Sequence, residues 1–78
     1  TAGTMNVQEI MLTNLPQIKT IRDLHIRENT GCTVIGYKME NGEYIVNPDI
    51  DFQVKTDGRI IVLGNTVQIK NLNKVFGL

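Results

Sequence analysis

The sequence predicts a small α+β domain in the order β-α-β-β-β-α, built on a mainly antiparallel sheet. Three observations carry that expectation. Residues 7–12 alternate between two faces in the manner of a strand. Asn41-Gly42 is the dipeptide most strongly tied to tight hairpins. Val67, Ile69, Leu72, Val75 and Phe76 recur at helical spacing near the carboxyl terminus.

Taken in order, the first strand is expected over residues 7–12, with Gln8, Ile10 and Leu12 on one face and Val7, Glu9 and Met11 on the other. Asn14-Leu-Pro16 ends it. Thr20-Ile-Arg-Asp23 has the spacing of a capping box, in which hydroxyl and carboxylate satisfy backbone N–H groups at a helix start. The helix that follows points Ile18, Ile21 and Leu24 one way and closes at Asn29-Thr-Gly31. Residues 32–39 are β-branched and aromatic, and they form a second strand that turns at Asn41-Gly42 through a two-residue type I′ loop into a return strand at 43–46. Asn47-Pro-Asp49 breaks the chain. A turn at Asp57-Gly58 then launches residues 59–63, whose continuous apolar run predicts a central strand covered on both faces. The last helix takes Asn65 or Thr66 as its N-cap.

Size and composition bound the function. Seventy-eight residues at 41% hydrophobic content make one domain. A chain this short buries only about 60% of its unfolded surface, so association with a partner is expected. Eight basic and eight acidic side chains cancel, leaving no long-range field for a nucleic acid polymer or an anionic membrane. The longest apolar run, residues 60–63, falls far short of the roughly 20 needed to cross a bilayer. Residues 1–4 are read as a cloning remnant or linker and residues 5–78 as the domain. The single Cys32 and the lack of a signal-peptide pattern fit a reducing compartment.

The residues that could carry chemistry are few. His25 has no second His and no Cys at metal-ligand spacing, and it reads as helix-flank structure. Cys32 opens a strand with no visible cause for a low thiolate pKa, and it reads as core. No orienting third group accompanies them, so neither catalysis nor a cofactor is expected. Asp49-x-Asp51 lacks the further oxygen ligands of a calcium loop and reads as a solvated turn. The scattered glycines lack phosphate-loop spacing. Arg27, just before Gly31, reads equally as a surface salt-bridge partner and as a planar fork for phosphate or carboxylate.

The run Ile21-Arg-Asp-Leu-His-Ile-Arg-Glu-Asn-Thr-Gly-Cys-Thr-Val-Ile-Gly36, followed by Asn41-Gly42, Asn47-Pro-Asp49 and residues 55–64, resembles the carboxyl-terminal regulator-of-potassium-conductance (RCK) domain family, also called TrkA-C. The resemblance extends over residues 5–76, and its most specific pieces are Arg27-x-x-x-Gly31, Asn47-Pro48 and Val62-Leu63-Gly64. One departure is the order Asp57-Gly58, where members usually have Gly-Asp.

The resemblance implies a homodimerising regulatory domain on the cytoplasmic side of the cell membrane. It would sit behind a nucleotide-binding Rossmann-like domain that belongs to, or docks on, a potassium channel or transporter. In some members the cleft between two such domains binds cyclic di-AMP. Carried over, the positions are Ile21 for apolar contact with the base, Arg27 for the phosphate, Cys32 and Thr33 at the start of the next strand, and Pro48 near the base. Thr33 stands where binding members tend to have Asn, and a hydroxyl lacks the paired donor and acceptor of an amide. Other members respond to cations, for which Asp49, Asp51 and Asp57 are the acidic candidates; others serve only as dimerisation elements.

Overall fold

The computed structural model describes residues 4–15 and 20–78. Residues 1–3, which open the expected remnant or linker, and Ile18 lie outside the described residues. Strand β1 (Met5–Met11) is followed by a single 3-10 turn at Leu12–Asn14. Helix α1 (Ile21–Leu24) and helix α2 (Ile26–Thr30) then precede strands β2 (Thr33–Lys38), β3 (Tyr44–Val46) and β4 (Arg59–Asn65). Helix α3 (Thr66–Phe76) closes the chain. The predicted order holds, with one change: the expected single helix is two short ones, because His25 adopts the left-handed conformation (φ 48°) between them.

All pairings in the sheet are antiparallel, in the order β1-β4-β2-β3. The faces of β1 are as the alternation predicts. Ile10 pairs with Ile60 and is buried, as is Leu12, whereas Val7 and Met11 are exposed. Gln8, on the inner side, donates to Asn73 Oδ1 at 2.7 Å and ties β1 to α3. Strand β4 is internal as expected, but only one of its faces is covered. Ile60 and Val62 are fully buried while Ile61 and Leu63 are only partly buried. Their pairing partners Glu9 and Val7 are exposed on that same outer face, because the described helices cover only the opposite one.

Two further expectations are corrected. The hairpin is not a two-residue type I′ loop. Gly42 N–H donates to the Met39 carbonyl (2.9 Å) and Met39 N–H to Glu43 (2.8 Å), so residues 40–42 form a three-residue loop. Only Gly42 (φ 92°) takes positive φ there, whereas type I′ requires it at both central residues. In α3, Leu72 is fully buried and Ile69 and Phe76 pack on the core, but Val67 and Val75 are exposed. Steps of 100° carry those two valines off the arc that faces the sheet. The α3 N-cap is Asn65, in a reciprocal capping box with Gln68 at 2.8 Å in each direction.

The core comprises Ile10, Leu12, Ile21, Leu24, Ile26, Cys32, Tyr37, Val54, Ile60, Val62 and Leu72. Cys32 is fully buried, in accord with its reading as core. Gly64 is required beside it, since a Cβ there would stand 2.8 Å from the Cys32 sulfur.

Candidate functional site

The capping box at the start of α1 forms as its spacing predicts. Asp23 N–H donates to Thr20 Oγ1 (3.3 Å), and Thr20 N–H donates to Asp23 Oδ2 (3.1 Å). Helix α1 lasts one turn before His25 redirects the chain, and α2 ends at Gly31 (φ 83°), whose N–H donates to the Arg27 carbonyl. Ile26 and Thr30 face inward, leaving Arg27 and Glu28 outside. The buried Thr30 hydroxyl donates to the Ile26 carbonyl at 2.6 Å and accepts from Cys32 N–H at 3.1 Å. That relay fixes the turn from α2 into β2, with Cys32 in the core and Thr33 exposed beside it.

A second wall is built by the segment after β3. Asn47 takes positive φ (49°), and its N–H donates to the Ile35 carbonyl at 3.0 Å. The Asp49 carboxylate accepts from Asp51 N–H at 2.8 Å, an Asx turn that shapes the loop. The loop is bound to α1 through Arg22 N–H to the Ile50 carbonyl (2.8 Å) and Ile21 N–H to the Phe52 carbonyl (3.2 Å). Arg22 adds a two-pronged ion pair with Asp51, at 2.9 Å for Nε–Oδ1 and 3.4 Å for Nη2–Oδ2.

Between the walls lies an open groove of about 420 Å³. Ile21, Arg22, His25, Ile26, Arg27 and Glu28 line its helical side; Thr33, Val34, Pro48 and Ile50 line the other. Four of the five positions singled out from the sequence, Ile21, Arg27, Thr33 and Pro48, therefore meet at one groove. Cys32 does not reach it, because its side chain is wholly inside the core. The sequence reading missed Ile26, Val34 and Ile50, His25 as a groove residue, and the Arg22–Asp51 tether. Ile50 left one signal, an apolar side chain amid the carboxylates of a polar loop.

The charges in the groove are not equivalent. Hydrogen bonding and charge attraction to Asp51 raise the Arg22 pKa, and the same pair holds the Asp51 carboxyl below the usual carboxylate range. Arg22 is thus committed to a structural partner. Arg27 makes no ion pair among the described residues, so the salt-bridge reading left open by the sequence has no partner among them. His25 Nδ1 lies 3.2 Å from Glu28 Oε2. The arrangement joins an apolar floor and wall to an available guanidinium and a hydroxyl, a combination suited to a flat ring carrying an anionic group. The acidic trio proposed for a cation does not converge. Asp51 is engaged by Arg22, and among the described residues no group of three or more His, Cys, Asp or Glu side chains stands together to hold a metal.

A family model described as the TrkA-C domain matches residues 19–77. No curated protein sequence matches the chain. Among solved structures, the chain is similar to the GsuK channel bound to NAD at 17% identity and a TM-score of 0.77, over 95% of this chain and 13% of that one. It is similar to the RCK_C domain dimer of S. agalactiae BusR in complex with c-di-AMP at 22% identity and a TM-score of 0.73, over 97% of this chain and 95% of that one. It is also similar to the RCK C domain of the potassium transport protein KtrA in complex with c-di-AMP at 21% identity and a TM-score of 0.68, over 97% and 82%. The chain therefore spans a small part of the GsuK polypeptide and most of the two isolated domains.

Proposed function

This chain belongs to the TrkA-C domain family, and from that premise we propose that residues 5–78 form a ligand-sensing, homodimerising regulatory domain that controls potassium ion transport by a channel or transporter. The parent protein works at the cytoplasmic face of the membrane, and this domain follows a nucleotide-binding regulatory domain. Among the described residues no helix is long and apolar enough to cross a membrane. The proposed ligand is cyclic di-AMP, held where the grooves of two copies face each other. The observation that carries this reading is the convergence of Arg27, Thr33, Ile21 and Pro48 on one groove, with Arg27 outside every ion pair found among the described residues.

The mechanism follows from symmetry. A two-fold cleft suits a two-fold dinucleotide, because each copy supplies the same guanidinium to one of the two phosphates. Ile21 and Pro48 then offer apolar contact to a base, and Thr33 offers a hydroxyl. Ligand binding biases gating only by preferring one relative orientation of the two copies, since equal affinity for both orientations shifts nothing. The BusR and KtrA domains solved with c-di-AMP support the choice of ligand. The balanced charge argues against a nucleic acid polymer as partner. No catalytic role is proposed, with Cys32 sealed in the core and His25 out on the surface.

A second reading, a purely structural dimerisation module, is favoured by Thr33 standing where the resemblance puts an Asn in most binding members. Isothermal titration with cyclic di-AMP, on a sample shown by sedimentation to be a dimer, separates the two. Saturable binding at one ligand per dimer, lost in Arg27→Ala, is the expected result. A flat titration on a verified dimer leaves the structural module.

A further inference from the structure

We infer that His25 and Glu28 form a proton-dependent charge gate on the groove, setting its affinity for a phosphodiester anion. The inference deepens the ligand reading above and rests on it. His25 is one of two non-glycine residues with positive φ among those described, and it breaks what would otherwise be a continuous helix. A conformation sparsely used by side-chain-bearing residues is a pointer to function. Here its consequence is geometric, since the imidazole lines the groove beside Arg27 and its Nδ1 sits 3.2 Å from Glu28 Oε2.

The charge balance depends on that contact. With His25 neutral, Glu28 brings an uncompensated carboxylate to the groove that Arg27 also lines. With His25 protonated, the pair sums to zero and Arg27 acts on the ligand unopposed. Of the other charged groups, Arg22 pairs with Asp51, which is held below the usual carboxylate range, and lies within the field of Asp23 and Asp49 as well; the lining residues of the facing wall, Thr33, Val34, Pro48 and Ile50, are uncharged. Histidine is the side chain that ordinarily changes charge between about pH 5 and 8.

The test is calorimetric titration of the 78-residue chain with cyclic di-AMP at about pH 6 and about pH 8, bracketing histidine titration. Wild type is expected to bind more tightly at the acid pH by at most about fivefold, the limit set by one unit charge about 4 Å away in water. His25→Asn keeps a residue that tolerates the left-handed backbone and should bind equally at both pH values. Glu28→Gln, which keeps the imidazole, should bind more tightly than wild type at about pH 8 and retain the gain on going to about pH 6. A pH slope that survives in His25→Asn overturns the gate while leaving the ligand reading intact. If a verified dimer binds no cyclic di-AMP at either pH, the ligand reading fails. The gate is then judged with dimethyl phosphate, a phosphodiester whose single charge is the same at both pH values, by NMR of the Arg27 side chain. An acid-dependent response lost in His25→Asn supports it, and a pH-independent response or none overturns it.

Discussion

Arg22 Nε lies 2.9 Å from Asp51 Oδ1, and this contact joins helix α1 to the loop that carries Pro48 and Ile50. Both walls of the groove are thereby held in register by a pair that sits on the surface. Exposed ion pairs contribute little to global stability, so the effect of this one is expected in the groove more than in the fold.

Asp51→Asn should therefore lower ligand affinity more clearly than it lowers the melting temperature. The sign of its pH dependence is set by the direction of the shift. The Asp51 carboxyl is held below its ordinary value in the folded state, so its contribution is present above the unfolded value and fades as pH falls through the folded one. Thermal melts of wild type and Asp51→Asn should differ slightly at neutral pH and converge in strong acid. A difference unchanged by acid would show that the carboxylate charge is not what matters.

Cys32 and Gly64 should behave as one packing unit. Gly64→Ala pushes a methyl toward the Cys32 sulfur, at 2.8 Å, and toward Gln68 Cβ, at 3.1 Å. Overpacking of this kind costs about 1–3 kcal/mol. Cys32→Ala removes the nearer obstacle, so in a double-mutant cycle by urea unfolding the pair should lose less than the sum of the singles. Strict additivity would place the cost elsewhere.

Helix α3 offers a direct comparison of two apolar side chains. Leu72→Ala should cost about 2–5 kcal/mol because Leu72 is fully buried. Val67→Ala should change stability by no more than about 0.5 kcal/mol, Val67 being 65% exposed. Equal losses in chemical denaturation would mean that Val67 is covered in solution.

Much of the fold was legible because its signals are local. The alternation in β1 survives as the inward set Gln8, Ile10 and Leu12. Thr20 with Asp23 and Asn65 both cap helices through contacts within three residues. Gly31 and the turn at Lys55 to Gly58 close where the sequence expects. The break at His25 was hidden, since histidine carries no helix-stopping signature as glycine or proline does. The type I′ assignment failed because Asn41-Gly42 names a turn and not its length. Val67 and Val75 keep helical spacing with the core residues yet fall beyond the arc that touches the sheet.

By itself the sequence determined the order of strands and helical segments, the capping box of α1, most of the inward residues and the family, since each depends on side-chain type and short-range spacing. The tertiary structure alone decided that Arg27, Thr33 and Pro48, distant along the chain, share one groove. It also decided that Arg22 is committed to Asp51 while Cys32 is withdrawn into the core. The physical reason is that a site assembled across α2, β2 and the loop after β3 depends on where the chain is redirected. Those points, a left-handed His25 and a loop hydrogen-bonded to α1, are fixed by packing against the rest of the molecule and leave little trace in spacing.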